Sequence, residues 1–216
     1  MKTSSIGRKL VMSISGMFLI MFLTIHLAIN LTSLISREAY ENACKFMDEN
    51  LFIRLMVPIL SLGFIVHIVM GFVLTIQNRR ARPIDYKKKG RLSQVSWASK
   101  NMLALGLIVL GLLMIHLGHF WAKMQLQHFL GHEGENPYDL VKIVFSNYWY
   151  VAMYIVWILA LYFHISHGFW SMFQSMGVTN IKWLPHLQLI SKVYSVVIAC
   201  GFMIIPIYFF CGFGEA

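Results

Sequence analysis

The chain has 216 residues, of which 58% are apolar or aromatic and only 12% charged, with a formal net charge of +9 and a mean hydropathy of +0.65. Soluble domains carry roughly 25% charged residues, so this composition excludes a disordered chain and an ordinary soluble enzyme. Three cysteines, Cys44, Cys200 and Cys211, without C-x-x-C or C-x-x-C-H spacing, exclude a disulfide scaffold, a zinc knuckle and a covalently attached cofactor.

Apolar runs of about 20 residues cross a bilayer as helices, and five occur here. The first is Leu10 to Ile35, preceded by Lys2, Arg8 and Lys9. It is too long for a signal peptide and lacks a small-residue cleavage site, so it is read as a retained helix. The second is Leu51 to Ile76, with Pro58 placed in its first turns, where a missing N–H costs little. Met102 to Ala122, Tyr148 to Phe173 and Ile190 to Cys211 complete the set, the last expected to kink at Pro206. No run contains Asp or Glu, while Arg54 and Lys192 lie near enough to span ends to snorkel. Continuous runs of this length are not strands. The expected fold is therefore all-α: one polytopic membrane domain covering residues 1–216, with five helices in a bundle.

Charge sets the orientation. The connection from Gln77 to Lys100 holds Arg79, Arg80, Arg82, Lys87, Lys88, Lys89, Arg91 and Lys100 against Asp85. Glu38, Glu41, Asp48, Glu49, Glu133, Glu135 and Asp139 occupy the two connections of opposite side. The positive-inside rule puts the N-terminus and the basic loop in the cytoplasm and the C-terminus outside, as a multi-pass protein of the cytoplasmic membrane. The basic loop meets anionic lipid or an acidic soluble partner. Because the bases lie between apolar runs and not on a basic helix, nucleic acid is not expected as a partner.

Six of nine histidines fall inside spans: His26, His67, His116, His119, His164 and His167. Ionisable side chains within a span are costly and need a partner. Facing helices that each supply an imidazole can hold haem b between them. His26 lies 17 residues past Lys9 and His116 lies 16 past Lys100, about 25 and 24 Å from the cytoplasmic side at the helical rise. His67 lies 12 residues before Arg79 and His164 lies 11 before Ser175, about 18 and 16 Å from the same side. Two levels follow: His26 with His116 nearer the outside, His67 with His164 nearer the inside, as iron ligands of two stacked haems. His119 and His167 each share a face with their i−3 neighbour. His119 is thus an alternative ligand, and His167 can approach a propionate; a hydrogen-bonded interior residue is the competing reading for both. Ser13, Ser15, Lys100 and Gln174 are further propionate candidates, which helix capping explains almost as well. His128, His132 and His186 are expected in solvated loops. Zinc is disfavoured, since no span supplies a thiolate or carboxylate beside these rings.

The segments SSIGRKLVMSISG (4–16), FLTIHLAIN around His26, FIVH around His67, MIHL around His116 and FHISHGFWS around His164 carry a resemblance. They resemble the dihaem cytochrome b membrane anchor of succinate:quinone oxidoreductases, the succinate dehydrogenases and quinol:fumarate reductases, over nearly the whole chain. The resemblance implies a flavoprotein and an iron–sulfur protein as partners on the cytoplasmic face. It further implies two haem b, and electrons passing between the iron–sulfur clusters and menaquinone or another quinone. The dicarboxylate site would lie on a partner, and a dimer of the whole complex is compatible with it. Some dihaem fumarate reductases carry a carboxylate beside the last ligand; here Tyr162 and Phe163 precede His164. Asp48, Glu49 and Glu41 are the remaining candidates for the proton chemistry of a quinone site, against the simpler reading of acids on a solvated loop.

Two alternatives compete. A cytochrome b anchor of nitrate reductase or hydrogenase type would draw its ligands from fewer helices. A non-redox transporter would show repeats, broken helices or span acids.

Overall fold

The computed structural model describes residues 5–80, 97–178 and 180–215. The basic residues Lys2, Arg82, Lys87, Lys88, Lys89 and Arg91, with Asp85, lie outside the described residues. Among those described there is helix and turn but no strand. Five helical segments are long and apolar enough to cross a membrane: α1 (Ser5–Leu31), α3 (Leu51–Arg80), α5 (Met102–His116) with the turn that continues it to Trp121, α8 (Tyr148–Ser175) and α9 (Leu184–Phe210). Shorter helices join them: α2 (Arg37–Glu49), α4 (Trp97–Lys100), α6 (Gln125–Phe129) and α7 (Pro137–Phe145). This is an all-α, multi-pass membrane architecture.

Span positions follow the apolar runs, and four details differ. The fifth helix begins at Leu184 rather than Ile190. Asn180 accepts from the Lys182 and Trp183 amides at 3.0 Å, and Pro185 sits in the first turn, where its missing N–H is no loss. His186 consequently belongs to α9, not to a loop, with Nδ1 3.2 Å from the Lys182 carbonyl. His128 likewise lies in α6. Pro58 is inside α3 beyond the first turn, so the Arg54 carbonyl loses its helical donor; Ser61 Oγ donates to the Val57 carbonyl at 3.1 Å in the next turn.

Helices α2 and α7 are not marked by apolar runs, yet both start on capping side chains. Ser36 Oγ accepts from the Ala39 amide at 3.0 Å. Asn136 Oδ1 accepts from the Tyr138 and Asp139 amides, ahead of Pro137. Arg37 clamps the two together: it reaches Glu41 at 2.8 Å and Asp139 at 2.5 Å. The underside of α7 (Val141, Val144, Phe145) packs with Tyr154 and Phe209 in a buried cluster at this end of the bundle.

Four spans form a ring in the order α1, α3, α5, α8, in which α1 packs on α3 and α8, α8 packs on α5, and α3 meets α5 only sparsely. The fifth span, α9, lies outside the ring against α8 and α1. Its seam is made of small residues one turn apart, Ser191, Ser195 and Ala199, the two serines fully buried. Ser191 Oγ donates to the Ser166 carbonyl at 2.7 Å. Small side chains allow the close helix approach that holds membrane bundles together.

Candidate functional site

The four ring helices each turn a histidine inward, and the rings meet across the diagonals. His26 on α1 faces His116 on α5 with centroids 5.8 Å apart. His67 on α3 faces His164 on α8 at 6.3 Å. The pairs lie at different depths. The lower pair stands beside Ser15 and Gly106, and the upper pair beside Tyr154. Ser15 precedes His26 by 11 residues, Gly106 precedes His116 by 10, and Tyr154 precedes His164 by 10. Three helices thus agree on a separation of about 15 Å.

In the lower pair, His67 Nδ1 is 3.3 Å from Ser15 Oγ, whose own proton goes to the Met12 carbonyl at 3.0 Å. The serine oxygen therefore accepts from Nδ1–H and leaves Nε2 of His67 with a free lone pair. Across from it, His164 Nδ1 is buried with no hydrogen-bond partner among the described residues. Glycines face both rings: a Cβ on Gly16 would lie 3.4 Å from His67 Cε1, and one on Gly106 would lie 3.7 Å from His164 Cε1. His167 Nδ1 is also buried without a partner among the described residues, and its ring stands edge-on to Trp170.

In the upper pair, His26 stacks on Phe22 at 5.2 Å and touches Phe202 of α9. Asn30 caps it from one turn on, donating to the His26 carbonyl at 2.8 Å. His116 packs against Trp157 at 5.2 Å, whose indole N–H donates to the Val109 carbonyl and pins α8 to α5. After His116 the helix opens into one wide turn, Leu117–Trp121, with π-type hydrogen bonding. That turn carries His119 to Tyr150, at 4.6 Å, and to Tyr154. The histidine that meets His26 is accordingly His116, while His119 packs among tyrosines.

These residues fit haem b. Each pair brings two imidazoles from different helices together, with ring centroids 5.8 and 6.3 Å apart, and two imidazoles are the donor set that would hold a haem iron. An orphaned buried nitrogen on His164 and two glycines opposite the lower rings add to the fit. No group of three or more metal-ligating side chains occurs among the described residues; two-ligand sites need none.

The remaining candidates are spread out. Ser13 is buried on α1, on a different face from Ser15, while Lys100 is exposed at the end of α4. Asp48, Glu49 and Glu41 lie on α2, at the other end of the bundle. Glu41 accepts from Arg37 and from Asn136 at 2.7 Å, Asp48 from Gln125 at 2.8 Å, and Glu49 pairs with Lys45 at 3.8 Å. Glu41 and Asp48 tie α2 to neighbouring segments, while Glu49 pairs within α2 itself. Neither Tyr154 nor the ring contact of Ser15 stands out along the chain, because both depend on which helices become neighbours.

The chain is similar to the succinate dehydrogenase cytochrome b558 subunit of Bacillus subtilis (strain 168), at 27% identity over 179 residues, covering 82% of this chain and 81% of that protein. No protein-family model matches the chain, and no solved structure matches it significantly.

Proposed function

We propose that this chain is the haem b-bearing membrane anchor of a succinate:quinone oxidoreductase, carrying electrons between an iron–sulfur subunit and a quinone, menaquinone in the first instance. The observation that carries the reading is the meeting of two imidazole pairs across the diagonals of one four-helix ring, at two depths. The similarity to a succinate dehydrogenase cytochrome b subunit supports it independently.

On this reading His26 and His116 hold the outer haem and His67 and His164 the inner one, within a single membrane domain. Haem b, when bound, would supply reversible one-electron chemistry, which this chain would tune through its imidazoles, burial and hydrogen bonds. The chain's residues do the rest. Ser15 fixes the tautomer of His67, aromatic side chains exclude water from the outer pair, and Ser13, Lys100 and His167 are the propionate candidates on the inner side. The basic end, with Arg79, Arg80 and Lys182, faces the cytoplasm and receives the iron–sulfur and flavoprotein subunits. Succinate and fumarate chemistry belongs to those partners. Asp48, Glu49 and Glu41 stand at the outer end as the candidate acids for quinone protonation.

The test is purification from membranes with whatever co-purifies, followed by a haem assay and spectrum. The expected outcome is a reduced b-type spectrum, two haems per chain, and reduction of the haems on adding succinate to the complex. A folded protein that stays colourless when supplied with haem overturns the proposal.

A further inference from the structure

Tyr154 sits one ring behind the upper histidine pair and has no part in the assignments above. Its hydroxyl lies 3.4 Å from His116 Nδ1 and 3.2 Å from His119 Nδ1. The side chain is 5% exposed, held edge-on by Phe145 at 5.0 Å and flanked by Trp157 at 5.6 Å. A phenol has one proton to give and lone pairs to accept with. If His116 offers Nε2 to a metal, its Nδ1 carries a proton and must donate. The phenol oxygen then accepts from His116, and its own proton goes to His119 Nδ1. In that direction His116 Nδ1, the Tyr154 hydroxyl and His119 Nδ1 all have a partner of the right polarity. The wide turn at Leu117–Trp121 brings His119 to the same hydroxyl as His116.

We propose that Tyr154 is a positioning residue for the outer haem: its hydroxyl accepts from His116 Nδ1–H, fixes which nitrogen faces the iron, and is itself oriented by donating to His119. This rests on the haem-anchor reading above. A ligating histidine whose second nitrogen donates to an acceptor is held in orientation and made a stronger base. A stronger base favours the oxidised iron, so the Tyr154 hydroxyl should hold the outer potential down. His119 strengthens the effect, because a hydroxyl that is donating accepts better. His119 is then a third member of the string, which gives it a purpose other than ligation.

The test uses the haem-loaded protein purified with its partners, the two haems being distinguished by His26→Ala and His67→Ala. Tyr154→Phe keeps the ring and removes only the hydroxyl. It should retain both haems, move the midpoint potential of the outer haem to a more positive value, and alter its ferric low-spin electron paramagnetic resonance signal, with the inner haem unchanged. His119→Phe should move the outer potential in the same direction by less. Should Tyr154→Phe fail to assemble, His119→Phe carries the test, since it alters the hydroxyl's partner without touching the ligand. An outer haem with unchanged potential and unchanged resonance in whichever variant assembles overturns the role of Tyr154 alone. An unmodified protein without haem overturns this inference together with the reading it rests on.

Discussion

Ser15 gives its proton to the Met12 carbonyl and turns its oxygen to the ring of His67. Sequence alone makes such a serine one more polar group near a helix end. In the folded bundle it decides which imidazole nitrogen points into the ring of helices. Partners of this kind typically change metal affinity 10–100-fold when removed, an order-of-magnitude figure of about 1–3 kcal/mol. If the proposed assignment holds, Ser15→Ala is expected to weaken retention of the inner haem about tenfold while sparing the outer one, read from haem loss to apomyoglobin. Equal rates of loss in variant and parent would leave the serine a mere helix residue. Gly16 is the steric counterpart, since even a methyl there lies in van der Waals contact with His67. On the proposed two-haem reading, Gly16→Leu should drive a branched side chain against the ring and lower haem content from two per chain to about one. Retention of both haems in a folded Gly16→Leu protein would show that the His67 ring is not confined from this side.

Helices differ in how plainly they declare themselves. The spans are legible because lipid demands an unbroken apolar run with its backbone satisfied internally, and the histidines stand out against that background. The start of α9 is less legible: His186 and Gln188 lower the local hydropathy, while the signals at its start are a proline in the first turn and, just ahead of the helix, a turn closed by the Asn180 side chain. Helices α2 and α7 are short and amphipathic, and their stability comes from caps, the Arg37 clamp and the buried face of α7. Which histidines share a level, and the order of the levels, are legible from rise per residue, but their spacing is not: the arithmetic puts them about 7 Å apart where the contacts along three helices give about 15 Å, because the flanking residues taken as span ends do not lie at one depth. The roles of Ser15, Tyr154 and the wide turn are not legible either, because they arise only when α1 meets α3 and α5 meets α8. The α8–α9 seam supplies a test at this scale. Ser195 is fully buried and donates to the Ser191 carbonyl at 2.6 Å, so no volume is free there. Ser195→Leu should cost about 1–3 kcal/mol by overpacking, seen as a lower midpoint in thermal unfolding of the detergent-solubilised protein, whereas Ser195→Ala should be nearly silent. A leucine variant as stable as the parent would mean that α9 is free to shift.

Across the whole molecule, charge and cover are distributed unevenly. Arg8, Lys9, Arg79, Arg80, Lys100 and Lys182 lie toward one end, and the acids of α2 and α7 toward the other. The acidic end is closed by helices and ion pairs, so the two ends offer different surfaces to the two sides of a membrane. The positive-inside rule assigns the basic end to the cytoplasm, and the cysteines make that assignment measurable. Cys211 is exposed just beyond α9, at the acidic end. Cys44 lies at the same end on α2, but burial pushes its thiol up to about 11, with Glu41 and Asp48 adding to the rise and the Tyr40 hydroxyl opposing it. Since the thiolate is the reactive form, a raised thiol pKa means slow labelling at neutral pH and faster labelling as pH climbs toward that value. Intact cells treated at pH 7.5 with a membrane-impermeant maleimide should therefore label Cys211 and leave Cys44 largely unmodified. A cysteine placed by Lys182→Cys, in a Cys211→Ser background, should react only once the membrane is opened. The reverse pattern, with position 182 labelled from outside and Cys211 protected, would invert the bundle and place the acidic helices where the iron–sulfur partner is proposed to dock.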